Sequence, residues 1–338
     1  MFGLEKKRGA FFEIEDWETE YIKQRLIKFN FKFYKEKISD VDLKQIQDVE
    51  ILGVFIYSFV NKEILDKLPK LKLVITMSTG FDHINIEECK KRNIKVCNVP
   101  YYGENTVAEH TFALLLAISR KITKSYERTS KGSFNLEGLR GFDLKGKIIG
   151  IVGTGHIGIH VIRMAKGFEM NVIAYDKFRN EDLAKKLDFK YLELKDLLSK
   201  SDIITLHVPY NKETHHMINK ESFSLMKKGV ILINTARGAI IDTDALVQAL
   251  DSGIIGYAGL DVLEGEKDIL EEKQLLSKNF DQEQMKKMLE SHILLQKENV
   301  LITPHNAFNS TEALQRILDT TIENINNFYS GKIQNEVR

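Results

Sequence analysis

Three glycines and one aspartate form the strongest chemical pattern in the chain. Gly153, Gly155 and Gly158 give G-x-G-x-x-G within GTGHIG, and Asp176 ends the apolar stretch NVIAYD that follows. The run Ile148, Ile149, Ile151, Val152 enters the turn, and a helical pattern leaves it. Gly153 permits the tight turn, Gly155 lets backbone N–H groups approach a pyrophosphate, and Gly158 lets the helix pack closely. The helix N-terminus supplies partial positive charge for phosphates. A carboxylate at Asp176 accepts both hydroxyls of a ribose and repels a 2′-phosphate. The pattern therefore points to NAD rather than NADP.

Chemistry on a substrate needs further groups. A proton must be given or taken, and an anionic substrate needs a cation. In an open parallel sheet such groups sit just past the carboxyl ends of the strands. Three apolar runs deliver them: GVILINTARG ends in Arg237, IGYAGLDVLEGE ends in Glu264 and Glu266, and NVLITPHNAF carries His305. Arg237 can clamp a carboxylate through two hydrogen bonds and polarise a neighbouring carbonyl. His305 can transfer the proton. A glutamate on the far ring nitrogen would fix the tautomer and stabilise the protonated ring.

The elements that must hold these groups can be read from the same sequence. Strand-like runs at 171–176, 202–208, 229–236, 255–262 and 299–305 follow the glycine turn. Helical patterns near 181–188, 194–200, 220–228 and 242–252 separate them. That alternation predicts a doubly wound parallel sheet of six or seven strands. About 100 residues with their own alternation precede the glycine turn: GAFFEI, a helical stretch 15–29, FKFYKE, ILGVFIYSFV, LKLVITMSTG and NIKVCNV. Residues 104–131 read as one long amphipathic helix, a link between domains and a surface for subunit pairing. The final helix, 310–330, is expected to return to the first domain. The fold class is thus α/β with two doubly wound parallel-sheet domains. A Rossmann-like domain, 102–305, is inserted into a discontinuous, flavodoxin-like substrate domain, 1–101 plus 306–338.

Composition sets the outer bounds. The 338 residues are enough for two domains, and a formal net charge of +1 gives no bulk attraction to nucleic acid or to membrane surfaces. The EKKR run at 5–8 reads as a solvated segment. Cys89 and Cys97 make no disulfide framework and are expected to be buried thiols. No stretch suits a membrane span, and the N-terminal residues lack the apolar core of a secretory signal, so a cytoplasmic protein is expected. His215 and His216 are adjacent; on a regular element their rings would diverge, which makes a poor metal pair. His110 is expected to pack or hydrogen-bond within its helix and His83 to lie in a turn. No metal is expected.

Several ordered motifs then carry a resemblance. GTGHIG, LHVP at 206–209, INTARG at 233–238, GLDVLEGE at 259–266 and TPH at 303–305 resemble the NAD-dependent D-2-hydroxyacid dehydrogenases. STGFDHIN at 78–85 and NVPYYGENTVAEH at 98–110 extend the likeness over nearly the whole chain. GTGHIG, the acidic motif followed by Lys-Asp, and the long segment between Glu266 and His305 are most like the D-lactate dehydrogenase branch.

The resemblance implies roles. Arg237 would bind the substrate carboxylate and carbonyl. His305 would donate the proton, and Glu266 would pair with it. Asp261 would face the nicotinamide amide. His156 and Ile157 would cover the pyrophosphate, and Asp176 the adenosine ribose. Val208 and Pro209 would line the adenine side, with Thr235 and Ala236 along the nicotinamide ribose. The backbone at Ser78, Thr79 and Gly80 would hold the carboxylate; Tyr102 and Phe308 would bound the substrate, with Tyr101 an alternative to Tyr102. The implied reaction is reduction of pyruvate by NADH to D-lactate, by a homodimer. Relatives acting on glyoxylate, hydroxypyruvate or phenylpyruvate, and corepressor-like proteins that sense NAD(H), share much of this pattern.

Overall fold

The computed structural model describes residues 6–266 and 282–337. They divide into two compact units, 1–102 with 310–338, and 103–309.

The first unit is built on a five-stranded sheet of order β2-β1-β3-β4-β5, every pair parallel. Its strands are β1 (Lys7–Phe11), β2 (Phe29–Phe33), β3 (Ile51–Val54), β4 (Leu73–Thr76) and β5 (Lys95–Cys97). Helices α1 (Asp16–Arg25), α2 (Lys62–Asp66) and α3 (Ile86–Lys91) connect them. β3 and β4 are buried along their whole length, as strands covered on both faces must be. Ala10, Phe12, Leu52, Val54, Val74 and Val96 form one core cluster. The C-terminal helix, Thr311–Tyr329, belongs to this unit: Tyr21 donates to Asp319 at 2.6 Å and Asn324 to the carbonyl of Asn98 at 3.0 Å. From Lys6 to Arg8 the basic run is exposed, as a solvated segment is, while Lys7 and Arg8 begin β1 and Arg8 pairs with Asp48.

The second unit is a seven-stranded parallel sheet. Its first helices are α4 (Glu104–Ser119) and α5 (Ile122–Ser130). β6 (Ile148–Val152), α6 (His156–Gly167) and β7 (Asn171–Tyr175) carry the glycine turn. Then follow α7 (Glu181–Leu187), β8 (Lys190–Tyr191), α8 (Leu194–Lys200), β9 (Ile203–Leu206), α9 (Lys220–Ser224), β10 (Val230–Asn234), α10 (Thr243–Asp251), β11 (Ile255–Leu260), α11 (Gln282–Gln296) and β12 (Val300–Ile302). The strand order is β12-β11-β10-β9-β6-β7-β8. The chain leaves β6 outward to β7 and β8, then returns to β9 on the other side. The crevice at such a reversal is where doubly wound sheets bind ligands. Along β10, Val230 and Leu232 join one core cluster, and Ile231 and Ile233 the other. The alternation of side chains along a strand thus fills both faces.

The helix expected over 104–131 is two helices. α4 ends at Ser119, and Lys121 takes a left-handed backbone (φ 54°) before α5. Ser119 gives its carbonyl to Phe142 N at 3.0 Å, and Gly141 lies so close that a Cβ there would sit 2.1 Å from that oxygen. A long-range backbone contact therefore replaces the next helical turn. The apolar stretch 112–118 does not face outward either. Phe112, Leu114, Leu115 and Ile118 are buried in the core of their own unit.

Candidate active site

The glycine turn shows why each glycine stands where it does. Gly153 has φ 98°, and a Cβ there would lie 2.7 Å from the carbonyl of His207, just past β9. A Cβ on Gly158 would sit 2.1 Å from the carbonyl of Gly153, so the helix closes onto the turn itself. Gly155 is different: nothing lies within 4 Å of where its Cβ would be. That open space borders the start of α6, whose N-cap, Gly155, makes no side-chain cap bond. The N–H groups that open a helix, beside a glycine clearing, suit a pyrophosphate.

Asp176 follows β7 directly. Its Oδ2 accepts from Thr154 N at 2.7 Å and Thr154 Oγ1 at 3.0 Å, and its Oδ1 from Phe178 N at 2.8 Å. The acid is thereby fixed beside the glycine turn. These residues fit NAD. His156 pairs with Glu104 at 3.0 Å, and Ile157 packs partly buried against the core. Val208 is half-buried and Pro209 exposed on the segment that leaves β9. His207, at the same strand end, has its pKa pushed down to about 3 by burial, so it stays neutral.

β10, β11 and β12 are neighbours, and each delivers a group past its carboxyl end. Asn234 closes the β10 turn: its Oδ1 accepts from Ala236 N at 3.0 Å, and its Nδ2 donates to the carbonyl of Arg237 at 2.9 Å. Arg237 is half-buried, and its Nη1 donates to Ala236 O at 2.7 Å. Thr235 is buried and bonds Thr111 of α4 at 2.9 Å. His305 Nδ1 meets Glu266 Oε1 at 2.7 Å, and Glu266 Oε2 accepts from Leu263 N at 3.1 Å. His305 itself has a left-handed backbone (φ 51°), uncommon for a residue with a side chain.

The support for that conformation comes from Asp261, which is 1% exposed. Its backbone carbonyl accepts from His305 N at 2.8 Å. Oδ1 accepts from Thr303 Oγ1 at 2.5 Å and Asn306 N at 3.0 Å, and Oδ2 from Ala307 N at 2.9 Å. The carboxylate expected to face a nicotinamide amide thus also braces the loop that carries His305. His110 bonds Thr303 at 3.0 Å, a partner outside its own helix. The loop sits in another part of the sequence, so helix periodicity could not reveal it.

In the first unit, the 78–80 segment is held rigidly. Ser78 is buried and bridges Thr76 Oγ1 at 2.6 Å and Gly80 O at 2.7 Å; His83, in a turn, bonds Thr76 at 3.1 Å. Thr79 Oγ1 donates to Val99 O at 3.0 Å. Tyr101 is exposed and Tyr102 half-buried, and Arg316 Nε donates to the Tyr102 carbonyl at 2.7 Å. In the second unit, Phe308 is half-buried near the end of the β12 loop.

His215 and His216 do not diverge. Their rings stack with centroids 3.9 Å apart, because both lie in a turn and His216 takes a left-handed backbone (φ 48°). Among the described residues no group of three His, Cys, Asp or Glu could hold a metal ion. No described helix is long and apolar enough to cross a membrane. Cys89 and Cys97 are both free and buried.

Known proteins show the same architecture. Residues 112–307 match the D-isomer specific 2-hydroxyacid dehydrogenases, NAD binding domain. The D-lactate dehydrogenase of Escherichia coli is 34% identical over 96% of this chain and 97% of its own. The glyoxylate reductase of Pyrococcus horikoshii is 35% identical over 95% of this chain and 88% of its own. The crystal structure of a D-lactate dehydrogenase from Aquifex aeolicus, complexed with NAD and lactic acid, superposes with a TM-score of 0.86. It is 39% identical and covers 96% of both chains. The chain belongs to the NAD-dependent D-2-hydroxyacid dehydrogenase family. Its cofactor is NAD.

Proposed function

We propose that the protein is a D-lactate dehydrogenase that reduces pyruvate to D-lactate. The observation that carries this reading is the His305–Glu266 pair at 2.7 Å, one strand away from the Arg237 turn. NADH supplies a hydride to C2 of the keto acid. Arg237 binds the substrate carboxylate and draws charge onto the carbonyl oxygen. Nδ1 of His305 is committed to Glu266, so the transferred proton sits on Nε2. Glu266 holds that tautomer and stabilises the protonated ring, as a carboxylate beside an imidazole does. When the proton reaches the substrate oxygen, the ring is left neutral with its Nδ1–H still on Glu266.

The remaining assignments belong to the same proposal. Gly153, Gly155, Gly158, His156 and Ile157 take the pyrophosphate, and Asp176 the adenosine ribose. Val208 and Pro209 take the adenine side; Thr235, Ala236 and Asp261 take the nicotinamide side. The 78–80 segment, Tyr102 and Phe308 contact the keto acid. The domain holding the 78–80 segment serves the substrate, and the other serves the cofactor.

A homodimer is part of the proposal, although its support has moved. The apolar face of α4 is consumed internally, whereas Ile122, Tyr126, Phe134 and Leu136, on α5 and just after it, are 55–82% exposed. Large apolar side chains exposed together within one short stretch of chain are what an interaction surface carries. Light scattering with size-exclusion chromatography should give twice the 38.9 kDa chain mass, and Tyr126→Glu with Phe134→Glu should reduce it to one chain mass.

A second substrate reading has a specific observation behind it. A glyoxylate reductase is about as similar to this chain as a D-lactate dehydrogenase is, 35% against 34% identical. Steady-state kcat/KM with pyruvate, glyoxylate, hydroxypyruvate and phenylpyruvate decides between them. Pyruvate should lead; a clear lead for glyoxylate would keep the family chemistry and replace the substrate.

A further inference from the structure

Glu264 is the acid on the β11 loop that the chemistry above leaves unused. It is 7% exposed. Its Oε1 lies 3.0 Å from His216 Nε2, and its Oε2 accepts from Thr243 Oγ1 at 3.1 Å. Both partners belong to the β10 side. His216 N donates to Ala239 O at 2.9 Å, Ile218 N to Ile240 O at 3.0 Å, and Asp242 N to Ile218 O at 2.9 Å. These bonds strap the 216–218 segment to the turn that follows Arg237, and Thr243 opens α10 directly after it.

The β11 loop lies hard against that strap. A Cβ on Gly238 would come within 2.1 Å of the Leu263 carbonyl carbon and 2.3 Å of Glu264 N. Leu263 N donates to Glu266 Oε2, and Glu266 Oε1 meets His305. A continuous chain of contacts therefore runs from the Arg237 turn through Gly238, Leu263 and Glu266 to His305. Backbone packing alone brings the two loops together. The Glu264 carboxylate supplies directional bonds that fix how far along each other they sit. A buried carboxylate is costly unless it is tied by such bonds, so it marks a position where register matters.

We infer that Glu264 is a positioning residue: with His216 and Thr243 it clamps the β11 loop onto the Arg237 turn and so holds Glu266 in register with His305. The inference rests on the reading of Glu266 and His305 as the proton-transfer pair. A displacement of about 1 Å at a reacting group can cost 10²-fold in rate, and the clamp prevents such a displacement.

The test is a double-mutant cycle on the full-length enzyme, with kcat and KM for pyruvate and Kd for NADH. Glu264→Ala should lower kcat about 10- to 100-fold while the NADH Kd stays within about twofold. Glu264→Gln should recover most of that loss, because its amide can still accept from His216 and meet Thr243. In a Glu266→Gln background, Glu264→Ala should cost less than about threefold more, since residues acting through one another are not additive. If Glu264→Ala does not fold, His216→Gln and Thr243→Val each remove one arm of the clamp. They should show the same lack of additivity with Glu266→Gln. Wild-type kcat in Glu264→Ala, or losses that simply multiply, would overturn the inference. Full turnover in Glu266→Gln would overturn the proton-transfer reading and this inference with it. An impaired Glu266→Gln beside an unimpaired Glu264→Ala would overturn the inference alone.

Discussion

His305 Nδ1 stands 2.7 Å from Glu266 Oε1, and the two residues arrive from loops after different strands, β12 and β11. The histidine reaches this position with a left-handed backbone that Asp261 stabilises from below through four acceptor bonds to the 303–307 loop. A strained residue held by a buried carboxylate is what a site needs if one ring nitrogen is to stay committed while the other exchanges a proton.

Replacing His305 by alanine should therefore remove proton transfer and little else. We expect kcat to fall about 10²- to 10⁴-fold, the usual contribution of a positioned acid–base group. The NADH Kd, read by protein fluorescence quenching, should change by less than about twofold, because the fingerprint residues are untouched. An equal loss of NADH binding would place His305 on the cofactor instead.

Arg237 makes a different prediction. Arg237→Ala should raise KM for the keto acid and lower kcat, and Arg237→Lys should rescue poorly. A lysine is a point charge and cannot reproduce the two-pronged contact of a guanidinium with a carboxylate. Steady-state kinetics of both variants check this; full rescue by lysine would mean that charge alone is used.

On the proposed reading, Asp176 sets the choice of dinucleotide. Asp176→Asn loses the charge and turns one of the two acceptor oxygens, which serve Thr154 and Phe178, into an N–H donor. NADH should bind more weakly, and the ratio of NADPH to NADH activity should rise by about tenfold or more, since one like-charge contact of 1.4 kcal/mol corresponds to a factor of ten. An unchanged ratio would show that another group excludes the 2′-phosphate.

His207 predicts a pH dependence of stability. Its folded pKa of about 3 lies below the ordinary 6.5, so between these values the unfolded chain binds the extra proton. Stability is full above pH 6.5 and falls as pH drops toward 3, by about 1.4 kcal/mol per pH unit from this group. In His207→Gln that contribution disappears. Urea midpoints at pH 7 and pH 5, compared between the two proteins, should show the steeper acid loss in the wild type.

Burial also raises the thiols, Cys89 to about 11 and Cys97 to about 12. The thiolate is the reactive form, so neither should react with a thiol reagent in the native protein at neutral pH. Both should react at once in denaturant.

Much of this arrangement can be read without coordinates, for reasons specific to each part. The glycine turn is legible because three backbone positions exclude a Cβ or keep space open for a ligand, and only glycine does both. The places of Arg237 and His305 are legible because buried parallel strands are unbroken apolar runs, and the first ionisable residue past each of these two runs marks the strand's carboxyl end. The break at Arg120–Lys121 is not legible. Neither residue disfavours a helix, and the turn is made by Gly141 and Phe142, distant in sequence. Nor can the role of Asn234 be seen beforehand, although an asparagine at a strand end before a tight turn is a recurrent signal. Glu264 and Glu266 are two residues apart with the same chemistry. Their chemistry alone does not separate them; the resemblance assigns Glu266 to His305, and the fold has that pairing and puts Glu264 on His216. The helix Gln282–Gln296 was hidden in a charged stretch, and the residues 267–281 before it lie outside the described ones.

The most direct test of the function is the stereochemistry of the product. Purified protein should be given pyruvate and excess NADH, turnover followed by loss of NADH absorbance, and the product resolved on a chiral column. The arrangement of Arg237, Glu266 and His305 in this family predicts rapid turnover and D-lactate alone. L-lactate, or no turnover while NADH remains bound, would contradict it.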